Sequence, residues 1–171
     1  MQAQITDPDE LENDIIKEFK SSFNDIPLLN NGGWRQQQWT ENIKNAVGRL
    51  LEQRGYTVYA SNCGGEFLYD LTGIEEKGDY INSIPLILES EWLQEGQLHD
   101  FRKLIVSRAD HRVMVFEVGH NEEKEDIVKP FLQHVRNCRH SMVGDRYLFA
   151  WWKRSMNRWI FDYSVYEVIE E

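Results

Sequence analysis

The sequence predicts a three-layer α/β domain, a mixed central sheet flanked by helices, and three observations carry that reading. Apolar positions at helical spacing alternate along the chain with short β-branched and aromatic runs. Three such runs follow one another before a helix and then a nearly all-apolar run, "HRVMVFEVG", of the kind buried on both faces of a sheet. A helical crossover between strands of one sheet implies parallel pairing with helices packed on the faces.

The elements follow in order. Leu11, Ile15, Ile16, Phe19 and Phe23 form an amphipathic stripe in an acidic helix over 8–24. "DIPLLNNGGW", 25–34, reads as a loop. Thr40 can cap a helix over 40–54 with the stripe Ile43, Ala46, Val47, Leu50 and Leu51, and Gly55 ends it. Strands follow at about 56–61, 66–74 and 84–92, with the turn "NCGG" after the first and the polar connection "EEKGDYINS" after the second. After the spacer "LQEGQ" a helix spans 98–109 on Leu98, Phe101, Leu104 and Ile105, and a strand spans 111–118. "NEEKEDIVKPFLQHVRNCRH" is a helix with acids first and bases last, kinked or weakened by Pro130. "RYLFAWWK" and "RWIFDYSVYEV" close the chain as a hairpin. The expected organisation is one domain over 1–171. It has a core at about 36–120, the acidic helix 8–24, and a C-terminal helix and hairpin over 121–171.

Composition excludes several classes. With 171 residues, 41% hydrophobic content and six tryptophans, this is not a disordered chain. No apolar run approaches the ~20 residues of a membrane span, and no secretory signal pattern opens the sequence. Cys63 and Cys138 form no CxxC pair and suit a reduced compartment, so the expected location is cytoplasmic, with no membrane partner. The net charge of −10 is unevenly placed. Residues 1–100 carry 7 Lys/Arg against 18 Asp/Glu, and residues 101–171 carry 12 against 11. Within 127–160, Lys129, Arg136, Arg139, Arg146, Lys153, Arg154 and Arg158 face a single acid, Asp145. An acidic half and a basic strip suit a cation-binding cluster beside a phosphate-facing surface. They equally suit a soluble protein of uneven surface charge.

The sharpest motif is "PLILESEWL", an apolar run that ends in Glu89-Ser-Glu91. Strand alternation puts both glutamates on one face. Asp70, late in the preceding strand, lies at a comparable place, and carboxylates about 4–5 Å apart across strands repel unless a cation joins them. Mg²⁺ or Mn²⁺ takes such a partial carboxylate shell, polarises phosphoryl oxygens and generates a hydroxide nucleophile. Each acid also admits a plainer reading, as a solvated strand end or turn cap.

The order helix, three strands, helix, strand over 36–120, with Asp70 and Glu89 on its second and third strands, resembles the PD-(D/E)XK nuclease superfamily and its restriction endonuclease-like αβββαβ core. That resemblance implies hydrolysis of nucleic-acid phosphodiesters, with Asp70, Glu89 and Glu91 as ligands for Mg²⁺ or Mn²⁺. Where the family pattern has lysine this chain has Glu91, and Lys103 on the following helix is the candidate replacement cation. Glu41 resembles the extra acid that some members place on the first helix. Lys129, Arg136, Arg139, Lys153, Arg154 and Arg158 are the candidate nucleic-acid contacts, and Trp151, Trp152 and Trp159 are either strand packing or stacking platforms. Two other functions fit the same sequence: a catalytically inactive nuclease-fold binding module, and an acidic, immunity-type protein that interacts with other proteins.

Overall fold

The computed structural model describes residues 1–24, 26, 27, 36–61, 64, 65, 67–119 and 122–170. The loop expected over 25–34 mostly falls outside these residues, as do Cys63, Glu66 and His120.

The chain runs β1 (Gln2–Ile5), α1 (Glu10–Phe23), β2 (Ile26–Pro27), α2 (Gln36–Gln53), β3 (Thr57–Ala60), β4 (Leu71–Lys77), β5 (Tyr80–Glu91), α3 (Gln94–Ile105), β6 (His111–Val118), α4 (Lys124–Asn137), β7 (Arg146–Ser155) and β8 (Arg158–Ile169). Seven strands lie in the order β1-β8-β7-β6-β5-β4-β3, with β2 added to β8. The pairs β5–β6 and β6–β7 are parallel and all others antiparallel, so the sheet is mixed. Helices α1 and α2 cover one face, packing on Leu86, Leu88, Val113, Val115, Leu148 and Trp152. Helices α3 and α4 cover the other, over Ile87, Met114, Phe116, Tyr147, Phe149 and Trp151.

Several boundaries differ from the expectation for physical reasons. Helix α2 starts at Gln36, before Thr40, so Thr40 is no cap. Its hydroxyl instead meets Ser90 Oγ at 3.1 Å and accepts the Trp92 Nε1–H at 3.1 Å. Strand β4 starts at Leu71, because Leu68 adopts a left-handed φ of 71° and breaks the extended run expected from residue 66. The polar "EEKGDYINS" is not a loop. It is the distal half of the β4–β5 hairpin, turned at Gly78 with φ 64°. Helix α3 begins at Gln94, so the spacer is its first turn, and α4 runs unbroken through Pro130. Strand β1 and the short β2 have no counterpart in the sequence reading. Trp151, Trp152 and Trp159 are all buried, so they are packing and not stacking platforms.

Arg146, counted with the basic strip, is internal. Asp9 caps α1 in a reciprocal box with Glu12. Fully buried Glu12 accepts from Arg146 at 2.6 and 3.2 Å, while Arg146 also reaches Glu167 at 2.9 Å. His111 Nε2 lies 2.6 Å from Asp9. This network pins α1 to the starts of β6 and β7. Arg146→Ala strands the buried Glu12 carboxylate and is expected to cost about 3–5 kcal/mol in urea unfolding. The double variant Glu12→Met/Arg146→Met is expected to lose clearly less.

Candidate functional site

The parallel strands β5, β6 and β7 end together at one edge of the sheet, and the residues singled out by the "ESE" motif gather there. Register sets Leu71 opposite Leu88. Asp70 precedes Leu71, and its charge acts on Glu89, the next residue along β5. Asp70 lies in a bend just before β4, not late within it, and its Oδ2 accepts the Ser90 N–H at 2.8 Å. Glu89 is 1% exposed, the last fully interior acid on its strand. From α3, Lys103 reaches back and sets its Nζ 2.6 Å from Glu89 Oε1 and 3.0 Å from Asp100 Oδ1. The Lys103 carbonyl accepts from the Tyr69 hydroxyl at 3.4 Å, which closes the site over the sheet.

The electrostatics follow from this placement. Burial drives the Glu89 carboxyl up to about 8, against the pull of the Lys103 ammonium, and the charges of Asp70 and Asp100 add to the rise. Burial alone would lower Lys103, but Glu89 and Asp100 hold it above its ordinary value. Tyr69 is also raised, by burial and by the nearby Glu89 charge. Lys103 Nζ is the partner that meets the buried Glu89 Oε1, at 2.6 Å. Glu89 is thus an interior carboxyl with Lys103 beside it, and Asp70 is held next to its strand by the Ser90 amide.

Glu91 does not join them. It shares the Glu89 face, but its Oε1 accepts the Leu93 N–H at 2.7 Å. Leu93 is the N-cap of α3 and has no capping side chain, so Glu91 supplies the cap and meets the positive end of the helix dipole. Gly96 permits this, since a Cβ there would lie 2.4 Å from Glu91 Oε2. Glu41 is exposed, on a helix of the opposite face, and accepts from Gln37 at 3.1 Å. It does not reach the site.

The basic residues do not form one strip. Lys129 and Arg136 are exposed on α4, and Arg139 follows its end. Lys153, Arg154 and Arg158 lie at the far end of the β7–β8 hairpin. Of these, Lys153 donates to the Glu122 carbonyl at 2.9 Å, and Arg154 lies 3.8 Å from Glu117 and stacks over Trp159. Sequence spacing gave no sign of Tyr69, which precedes Asp70 in an irregular segment. Its neighbour was the only cue.

A second group of potential ligands, Asp9, Glu12 and His111, lies at the opposite edge of the sheet. The Arg146 guanidinium already neutralises it. Grooves of about 370 and 450 Å³ also lie away from Glu89. No family model, curated protein or solved structure matches the chain. No helix among the described residues is long and apolar enough to cross a membrane.

Two measurements test this geometry. An unfolded glutamate titrates near ~4.3 and the folded Glu89 at about 8, so between those values the folded state holds a proton the unfolded chain lacks. In EDTA, the stability tied to Glu89 is full below about 4.3, falls as pH rises, and levels off above about 8. Thermal melts across this window are expected to show the slope, and Glu89→Gln is expected to flatten it. Separately, Gly96→Ala is expected to displace Glu91, cost about 1 kcal/mol and speed amide exchange in the first turn of α3.

Proposed function

We propose that this protein is a metal-dependent phosphodiester hydrolase acting on nucleic acid, with Asp70 and Glu89 as metal ligands and Lys103 as the cation of the site. One observation carries the reading: Lys103, on the helix after the acidic strand, sets its ammonium against the buried Glu89 carboxylate. The element order α2-β3-β4-β5-α3-β6 supports it, being the αβββαβ order that the resemblance implies.

In this reading Asp70 and Glu89 hold Mg²⁺ or Mn²⁺, which when bound supplies Lewis-acid polarisation of a phosphoryl oxygen and lowers the pKa of a water. Lys103 fixes the Glu89 carboxylate and offers an N–H to a phosphate oxygen as negative charge builds there. Asp100 orients the Lys103 ammonium, while Tyr69 donates to the main-chain carbonyl of the same residue. Lys153, Arg154 and Arg158 stand at the same edge of the sheet as the strand ends and steer the backbone, which makes binding salt-sensitive. Lys129, Arg136 and Arg139, on and after α4, are not part of that surface.

Calorimetry with Mn²⁺, together with cleavage of single- and double-stranded substrates, tests the assignment. Wild-type protein is expected to bind Mn²⁺, and Asp70→Asn and Glu89→Gln to lose at least about tenfold in affinity and nearly all cleavage. Lys103→Met is expected to keep metal binding and lose about 10²–10³ in rate. Cleavage undiminished in both acid variants sinks the proposal. A second reading, a silent binding module, is favoured by Glu91, which stands where a lysine is expected and is committed to capping α3. Metal binding without cleavage supports that reading. An acidic, immunity-type interaction protein would show no metal binding at all.

A further inference from the structure

A separate feature lies four strands from Glu89, about 19 Å across the sheet at the usual strand spacing. Strand β1 is the outermost strand, and among the described residues only β8 pairs with it. Thr6 donates its N–H to the Val165 carbonyl, and antiparallel alternation then turns the Gln4 and Gln2 backbone groups toward β8. The N–H and C=O groups of Ala3 and Ile5 therefore point outward from the sheet. Their side chains share the face covered by α4, since they stand opposite Val168 and Tyr166 of the core on that side.

Helix α4 does not close over this edge. Between it and β1 lies a groove of about 370 Å³ whose floor is Ala3, Val128, Leu132 and Tyr166. Ile5, on the same face, is 70% exposed. Lys124, Lys129 and Arg136 rim the groove against one acid, Glu125. Lys124 lies over the Trp151 ring and near Glu125. Lys129 and Arg136, seven residues apart and so on one side of the helix, have no ion-pair partner among the described residues. In a chain of net charge −10, this rim is a local concentration of unneutralised cations.

An open strand edge beside an apolar slot under a helix is the geometry by which sheets accept an extended peptide as an added strand. We infer that the α4–β1 groove binds an extended, acidic segment of a partner protein, which pairs with the Ala3 and Ile5 backbone. Alternate apolar side chains of the segment fill the floor, and its carboxylates meet Lys129 and Arg136. The observations favour a peptide over nucleic acid here, because the floor is apolar and the available main-chain groups form a strand edge. Exposed edges invite such pairing, and no Pro or inward charge blunts Ala3 to Ile5.

The probe is a seven-residue peptide with valines at its third and fifth positions, threonine between them and two glutamates at each end. It is added to the full chain at low salt, with binding read by fluorescence anisotropy and site occupancy by amide exchange. Saturable binding that slows exchange at Ala3 and Ile5 is expected. Leu132→Arg and the pair Lys129→Glu/Arg136→Glu, all at half-exposed or exposed positions, are each expected to weaken it by at least about tenfold. Four results overturn the inference: no slowing of exchange at Ala3 and Ile5, equal affinity for the peptide with lysines replacing its glutamates, displacement of the peptide by a short oligonucleotide, or protection that depends on self-association without peptide. The exchange readout on unmodified protein stands even if a variant fails to fold.

Discussion

The burial of β5, β6 and β7 on both faces is the constraint on which the rest of the structure depends. Leu86, Leu88, Val113, Val115 and Leu148 face one pair of helices, and Ile87, Met114, Phe116 and Phe149 face the other. Interior strands of this kind leave polar groups no place except their ends. At one end sits the Arg146 network with Glu12, Asp9 and His111. At the other sits Glu89 with Lys103, Asp70 and Asp100. Each cluster is a set of charges held where the sheet stops and water begins, and each draws its partners from helices that the buried strands require. The first is complete within itself, its acids matched by a guanidinium. The second sets three carboxylates, one of them interior, around the Lys103 ammonium.

That contrast sets apart two ion clusters of similar burial without appeal to motif. Glu12 is as buried as Glu89, yet it receives two directed donors from Arg146 and one from the Asp9 amide. Glu89 has a cation beside it and a carboxyl displaced far from its ordinary range. An interior acid left in that condition is costly for stability, and such sites are where perturbed groups and chemistry coincide.

Much of the fold was legible because its signals are local. The stripes of α1, α2 and α3, the all-apolar β6 and the C-terminal hairpin each depend on neighbours a few residues away. Asp70, Glu89 and Lys103 were legible for a related reason: meander order brings adjacent strands together, and a helix following a strand folds back along it. What stayed hidden depends on distant pairing. Strand β1 is four residues long and exists only through contact with β8 at the other end of the chain. Tyr69 sits beside Leu68, whose left-handed backbone cannot be read from its neighbours. The basic strip failed because linear proximity between 127 and 160 takes no account of the crossover, which leaves only the start of α4 near β7 and carries Lys129, Arg136 and Arg139 away from the tip of the β7–β8 hairpin.

Glu91 changes meaning most. Read along the chain, it is an acid standing where a cation was wanted. In three dimensions it lies so closely against Gly96 that any side chain at 96 would have to displace it. What stands at 96 thus decides whether the cap from 91 can form. A lysine at 91 would remove the carboxylate that accepts the Leu93 N–H and set a positive charge at the positive end of the helix. The start of α3 thus keeps an acid at 91, while the ammonium beside Glu89 comes from further along the same helix.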